Sequence, residues 1–545
     1  MGVIYSDYSR ARIGWFFGLS GWQLGVVALG TLPVFWCIQA GSWAAAGLFL
    51  LLWAVVTAVT VTPVRGRSAT GWIAASLAFA LGGLTGWTRF RSAASHGRAD
   101  TLDAADLPGV LAAVQIHDGP PMLRGGASFS RIAIIQNHAT RTWAVTAAVV
   151  HPGIGLREPE DRDRYGRGLA ELLDLASQTE LVDEIILLVR TVPEDGAERD
   201  QWLTRHRRPL EHPPRESHGP RGLQGERVAQ NASAAGLVGV RVINDELQQC
   251  LTRASVRTES FVTVVIPEGR LAKSARESGG GLEGRARVIY GVLAEIEAQL
   301  RGGLGMTAVT WLTSPELALA CRTGFAPGDR AGIIDALAAL AARTTQHDQP
   351  AGAASGHVDA PVYADVPWAL AGPSGADPAV RHYSHDAWNS VSATVKLPVK
   401  GAAMGALLPV LTPADPGERR SLMVAYPILS STAAGRQSAT SEWAADIGEE
   451  LRTKAKMKQT AKARDEADKV RRLDGKLASG NAMTRPYAVC TVTVPKTARA
   501  SEFGRRLDAS IRRAGFAPLR LDLAQDVAFA ASTVPLGISL TRTKD

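Results

Sequence analysis

Cysteine is scarce in this chain of 545 residues. Its four cysteines, Cys37, Cys250, Cys321 and Cys490, include no CxxC pair. A structural zinc or a dithiol redox site needs such spacing, so neither is supported, and no metal or cofactor is expected. Isolated thiols of this kind fit a reducing compartment. No GxxxxGK[ST] occurs; Gly475, Lys476 and Leu477 come nearest but lack the hydroxyl residue that helps hold magnesium. A P-loop motor in its usual form is thereby excluded. HExxH, GxSxG and the kinase set are also missing, and no catalytic residues are assigned. The basic run at 452–472 contains no aromatic residue on which a base would stack, and acidic residues interrupt it, so nucleic acid is not the expected partner.

Charge is missing altogether from residues 19–62. Residues 19–40 and 43–62 are each about 20 residues long, the length a helix needs to cross ~30 Å of hydrocarbon. Gly41 and Ser42 alone separate them, so the pattern predicts a two-helix transmembrane hairpin. Arg10 and Arg12 precede it, and Arg65 and Arg67 follow. Positive residues stay on the cytoplasmic side, which places the N-terminus and the C-terminal body in the cytoplasm, below a cytoplasmic (inner) membrane. Trp15, Trp22, Trp36 and Trp43 stand near the span ends, where aromatic rings are favoured. A third uncharged run, 71–87, is rich in small residues and is expected to lie at the interface as a helix rather than to cross.

The rest is polar enough for a folded body, with 21% charged and 46% hydrophobic residues overall. Net charge is +8 and the pI about 9.4, which suits anionic lipid beside a membrane anchor. Domains are expected at 1–67 (hairpin), 68–106 (interfacial helix and linker), 107–346 and 362–545, the last two divided by a Gly/Pro/Ala/Ser linker at 347–361. Strand-like runs at 110–117, 132–136, 143–150, 184–192, 260–267 and 306–312 alternate with helical stripes at 158–176 and 283–301. After the linker, strands at 389–397, 421–428 and 487–494 are interspersed with a long basic helix at 440–478 and a helix at 501–514. The order indicates an α+β body of ferredoxin-like split βαβ units. The two halves repeat this order loosely, without a residue-level repeat.

Three constellations invite a chemical reading. Gly279, Gly281 and Gly284 form a GxGxxG, but about ten residues of charged sequence separate it from the preceding strand, so a loop opening a helix is the better reading. His382, Tyr383, His385 and Asp386 cluster in RHYSHDAW. Paired histidines beside a carboxylate can ligate metal or move protons; with no further ligand spacing nearby, a structural role competes with the catalytic one. Arg452, Lys454, Lys456, Lys458 and Lys462, with Arg65 and Arg67, are candidates for docking a partner or the membrane.

Three stretches together carry a family resemblance. They are Tyr8, Arg10 and Arg12 leading into the double span and then to Arg65, Gly66, Arg67 and Trp72; the His382–Asp386 cluster; and the closing segment 529–537, FAASTVPLG. In order and architecture the chain resembles the actinobacterial PrgI-like membrane proteins encoded with conjugative elements. In that family a two-span module precedes a body like the N-terminal domain of the conjugation ATPase. The resemblance implies a non-catalytic inner-membrane scaffold of a type IV secretion apparatus, in an oligomeric assembly with other inner-membrane subunits. A separate chain would supply the P-loop ATPase, because this one stops where the motor would begin. An EccE-like component of a type VII secretion system is the alternative resemblance, and a membrane-bound enzyme using His382 and His385 is the alternative from another class.

Reversing the charges along 452–458 is expected to weaken capture of the partner ATPase without unfolding the body. Pull-down from membranes, with circular dichroism of the purified variant, checks both halves of this expectation.

Overall fold

The structure, a computed structural model, describes residues 4–5, 21–61, 63–64, 67–86, 88–98, 102–124, 126–153, 157–193, 256–330, 366–398, 401–415, 417–430, 432–436 and 461–541, with isolated positions at 242–243, 246, 332–333 and 336. Runs rich in Val, Ile and Thr form its strands, because branched side chains pack well on a pleated surface. In chain order these are β1 (Phe90–Arg91), β2 (Val114–Asp118), β3 (Ala133–Asn137), β4 (Thr142–Val150), β5 (Glu184–Pro193), β6 (Val256–Pro267), β7 (Ala308–Trp311), β8 (Gly375–Pro378), β9 (Tyr383–His385), β10 (Trp388–Lys396), β11 (Arg419–Pro427), β12 (Tyr487–Pro495) and β13 (Ala517–Arg520). The helices are α1 (Gly21–Gln39), α2 (Trp43–Val61), α3 (Ala69–Thr85), α4 (Pro159–Gln178), α5 (Glu268–Glu277), α6 (Gly281–Gly302), α7 (Ser314–Phe325), α8 (Trp368–Ala371), α9 (Ala461–Ala478), α10 (Ala500–Arg513) and α11 (Gln525–Thr533).

The strands join in one 13-stranded sheet, ordered β1-β8-β9-β10-β12-β11-β5-β6-β4-β3-β2, with β7 added to β4 and β13 to β10. Each of its described pairings is antiparallel. The body is therefore α+β. The linker at 347–361 lies outside the described residues, and the sheet runs across its place. The two halves it divides are thus joined by β5 and β11, Glu184 opposite Pro427 through Arg190 opposite Ser421.

Register exposes a repeat that residue identity hides. β4, β5, β6 and β7 are ordered β7-β4-β6-β5; β10, β11, β12 and β13 are ordered β13-β10-β12-β11. In the first set Thr146 stands opposite Thr263, their hydroxyls 2.9 Å apart. In the second Ser392 stands opposite Thr491, at 2.7 Å. Matching these two pairs brings Ile186 onto Ser421 through the neighbouring strands. At the junction Ile186 faces Ala425 and Arg190 faces Ser421, so exchanging the repeats is a two-fold rotation about the pair Leu188 and Met423. Both of these side chains are buried.

Helices cover the two faces differently. On one face α4, α5 and α6 pack on the first repeat, and α10 on the second. On the other, α7, α8 and α11 share a core drawing on strands of both repeats. Local chemistry places these helices: Thr313 and Glu316 form a capping box at the start of α7, the Thr313 amide donating to the Glu316 carboxylate at 2.9 Å. At Gly168, a side chain on α4 would run into the Gly303 backbone behind α6, so only glycine permits that crossing.

The N-terminal part is held to the body. Ile4–Tyr5 pairs antiparallel with Ala402–Ala403. α1 and α2 turn back at Gly41, where φ is 71°. They pack through Trp53, whose Nε1 donates to the Val27 carbonyl at 2.9 Å and whose ring lies over Gly30. Apolar side chains on α1, α2 and α3 point outward: Trp36 is 77% exposed, Trp43 74% and Leu84 85%. Among the described residues one helix, Trp43–Val61, is long and apolar enough to cross a membrane. The shorter apolar helices Gly25–Gln39 and Gly71–Thr85 fall below that length. Two spans are expected from the sequence; among the described residues one meets the length.

Arg190 locks the junction. Its side chain, 4% exposed, reaches Glu259 at 2.8 Å, the Ala320 carbonyl and Thr323 Oγ1 on α7 at 2.8 Å each, and the Thr533 carbonyl closing α11 at 3.1 Å. Breaking a buried pair from one side costs about 3–5 kcal/mol. Arg190→Ala is expected to lose stability on that scale, read as a depressed unfolding midpoint of the purified full-length protein.

Candidate functional site

The His382–Asp386 cluster does not converge. β9 and β10 form a hairpin whose turn begins at Asp386, with φ of 44°, a conformation Asp tolerates better than most residues. Alternation along β9 sends successive side chains to opposite faces. His385 goes inward and is fully buried. Its Nδ1 donates to the Phe325 carbonyl at 2.7 Å, and its Nε2 accepts from Ser390 Oγ at 2.8 Å. Ser390 in turn accepts from Thr493 Oγ1 at 2.7 Å. The Phe529 ring lies 4.4 Å from the imidazole. Burial pushes the His385 pKa down to about 3, so the ring is neutral. Tyr383 is buried beside it, and burial drives its hydroxyl far above the usual range.

Asp386 holds the Ser374 amide at 2.7 Å and Arg322 at 3.1 Å, while Arg322 also binds Asp329 and the Gly372 carbonyl. These are bonds that close a hairpin onto α7. A histidine with both nitrogens engaged inside a sheet has nothing to offer a substrate, so the structural role wins here.

The glycine run behaves as a helix–helix turn. Gly279, Gly280 and Gly281 have φ of 106°, 73° and 61° and join α5 to α6. A Cβ at Gly284 would stand 2.6 Å from the Ala275 carbonyl, so this glycine lets the two helices touch. The dinucleotide fingerprint needs a strand directly before the glycines, and α5 occupies that place.

The docking candidates Arg65, Arg452, Lys454, Lys456 and Lys458 lie outside the described residues, and so does the linker side of the long helix. Lys462 falls in the described backbone of α9, and Arg67 in a two-residue strand, Arg67–Ser68; their side chains do not. Of the cysteines, Cys321 and Cys490 are buried and free, their thiols pushed up to about 12 by desolvation, which makes them inert; Cys37 is free, and Cys250 is not described.

His382, by contrast, points to solvent, into a half-open cavity of about 470 Å³. Its walls are Arg381, Val391, Ser501, Arg505, Asp508, Pro518, Leu519, Arg520 and Asp522 with His382. Such a volume is in the range of small-molecule and side-chain sites. Arg520 is held by Asp508, whose Oδ2 accepts from Nε at 3.0 Å and Nη2 at 2.9 Å. Arg381 stands 3.9 Å from Asp522 and is 62% exposed. Arg505 is exposed on α10 and has no ion-pair partner among the described residues. Burial lowers the His382 pKa, leaving a neutral ring. The rim thus carries three guanidinium groups against two carboxylates.

Apart from His382, none of these residues stands out in the sequence. They come from the β8–β9 turn, β10, α10, β13 and the residues just after it, and only the tertiary pairing of β10 with β13 brings them together. The sole local signal is the three-residue spacing of Arg505 and Asp508 on one helix face. No protein-family model matches the chain, and no curated protein sequence matches it.

Acid is expected to weaken the body through His385. Its folded pKa is below the ~6.5 of an unfolded histidine, so the unfolded state binds the extra proton as pH falls from about 6.5 to about 3. The contribution is whole above pH 6.5 and is lost below it, by up to about 1.4 kcal/mol per pH unit. Unfolding midpoints between pH 7.5 and 4.5 check this: the slope should diminish in His385→Gln.

Proposed function

We propose that the chain is a membrane-anchored docking body of a bacterial secretion machine, of the conjugative type IV kind, that positions a separate P-loop ATPase at the inner membrane. The observation that carries this reading is the combination of an exposed apolar helix of 19 residues, Trp43–Val61, with a pairing that ties the residues before it to the body. Ile4–Tyr5 lies against Ala402–Ala403, so both sit on one side of any membrane. The number of crossings between them is then even. If α2 crosses, one neighbour crosses with it.

α1 is the better companion. A three-residue turn joins it to α2, and Trp53 bonds the two helices. Its internal Pro33 is tolerated in a spanning helix. Arg65 and Arg67, between α2 and α3, stay on the body's side under the positive-charge rule. The outward leucines of α3 then rest in the interface, next to anionic lipid. The body reads as two ferredoxin-like units in tandem, each with the strand order of that fold, and the family resemblance of the sequence assigns it to the scaffold side of the machine.

Two measurements test the proposal. In a Cys37→Ala background, Ser42→Cys is expected to react with an impermeant maleimide added outside intact cells, and Lys496→Cys to be protected; the reverse pattern overturns the topology. Affinity purification from native membranes should recover a conjugation-class P-loop ATPase. Recovery of type VII ring components instead moves the assignment to that machine.

A further inference from the structure

The two repeats differ at one matched place, and the difference creates the cavity. In the first repeat Trp311, the last residue of β7, stands opposite Ala147 on β4 and donates its Nε1 to Glu297 on α6 at 2.9 Å. In the second, Arg520 ends β13 opposite Ala393 on β10 and bonds Asp508 on α10. Ala147 and Ala393 are themselves matched, each being the residue after the hydroxyl-bearing Thr146 and Ser392. One turn before the carboxylate, α6 carries Leu293, fully buried, and α10 carries Gly504.

A Cβ at Gly504 would stand 2.7 Å and 2.9 Å from the two amino nitrogens of Arg520. The glycine is therefore what admits the guanidinium. An indole and a leucine fill the site in one repeat; an arginine and a glycine leave it hollow in the other. Asp508 engages Nε and Nη2 of Arg520, leaving Nη1 without a hydrogen bond among the described residues. Arg505 and Arg381 stand exposed at the rim.

From this we infer that the cleft between α10 and β13 is a receptor for an acidic segment of a partner protein, a carboxylate side chain flanked by aliphatic residues. Guanidinium groups pair with carboxylates through two parallel hydrogen bonds, which fixes orientation as well as charge. Val391, Pro518 and Leu519 supply aliphatic wall beside the arginines. A nucleotide is the poorer occupant, because the wall presents no Phe, Tyr or Trp for a base to stack on. The inference rests on the reading of the body as a docking module and names the surface it uses.

The test uses the full-length protein in phosphatidylcholine nanodiscs. The probe is the capped peptide acetyl-Leu-Asp-Leu-Glu-Leu-amide, with its Asn/Gln counterpart, inorganic phosphate and ATP as comparisons. The acidic peptide should bind at least tenfold more tightly than the amide peptide, and Arg505→Glu should remove that preference while leaving the unfolding midpoint unchanged. Arg520→Trp, which copies the first repeat, should do the same by filling the cleft; if Arg505→Glu fails to fold, this variant with Arg381→Gln decides. Equal binding of both peptides, no binding at 10 mM, or tighter binding of phosphate or ATP overturns the inference. So does a preference that survives both variants. ATPase capture that Arg505→Glu does not weaken overturns the cleft but not the proposed function; peptide binding with no ATPase captured retains the cleft and overturns the function.

Discussion

Arg190 sits where the two repeats meet, and a guanidinium buried there must be paired or it costs several kcal/mol. Its partners come from three places. Glu259 faces it across the neighbouring strand, the Ala320 carbonyl and Thr323 hydroxyl belong to α7, and the Thr533 carbonyl closes α11. α7 follows the last strand of the first repeat, and α11 follows that of the second. Glu259 and α7 pair the charge within the first repeat, and the Thr533 carbonyl joins them only when α11 of the second repeat lies against it. One side chain thus bonds to elements of both repeats. The apolar pair Leu188 and Met423, on the local two-fold, adds area without adding any such selectivity.

The same logic governs the shared face. Polar groups placed between the sheet and its covering helix accept only one register, because a slip would leave them buried and unbonded. Thr146 donates to the Pro535 carbonyl, Thr491 meets Ser532, and the Gln525 amide both receives from the Ser392 N–H and donates to its carbonyl. The closing segment thus straps both repeats. Its small residues follow from that: the backbone lies on the strands, and at Gly537, with φ of 72°, a Cβ would press on Ala144 and Thr263. The motif quoted for the family resemblance has this physical basis in the chain itself. His385 belongs to the same buried polar set, which accounts for its position better than chemistry does.

The two repeats are alike where the sheet is held together and differ at their outer ends. Strand order and the hydroxyl pairs are retained, since they hold the sheet and its register. The last strand and its facing helix differ between them, and both last strands lie off the main path of the sheet. There one repeat carries an apolar plug and the other a charged hollow.

Much was legible in the residues alone. An uncharged stretch from 19 to 62 announces apolar helices, since no soluble surface tolerates it. Runs rich in Val, Ala and Thr mark β4, β10, β11 and β12 to within a residue or two, because the fit of small and branched side chains to a pleated strand is a local property, even where, as in β4 and β12, both faces are buried. The α+β class follows from the order of such elements. Long-range pairing is another matter. Nothing in the local pattern of β5 says that β11 lies beside it, and residues 347–361 suggest a division that the sheet crosses. His382 and His385 share a motif but face opposite ways, one to solvent and one into the core, because pleating separates alternate side chains. The arginine cleft has no sequence signature, as its walls come from segments far apart in the chain. Hydrogen bonds between distant strands decided these features, and they exist only once the chain is folded.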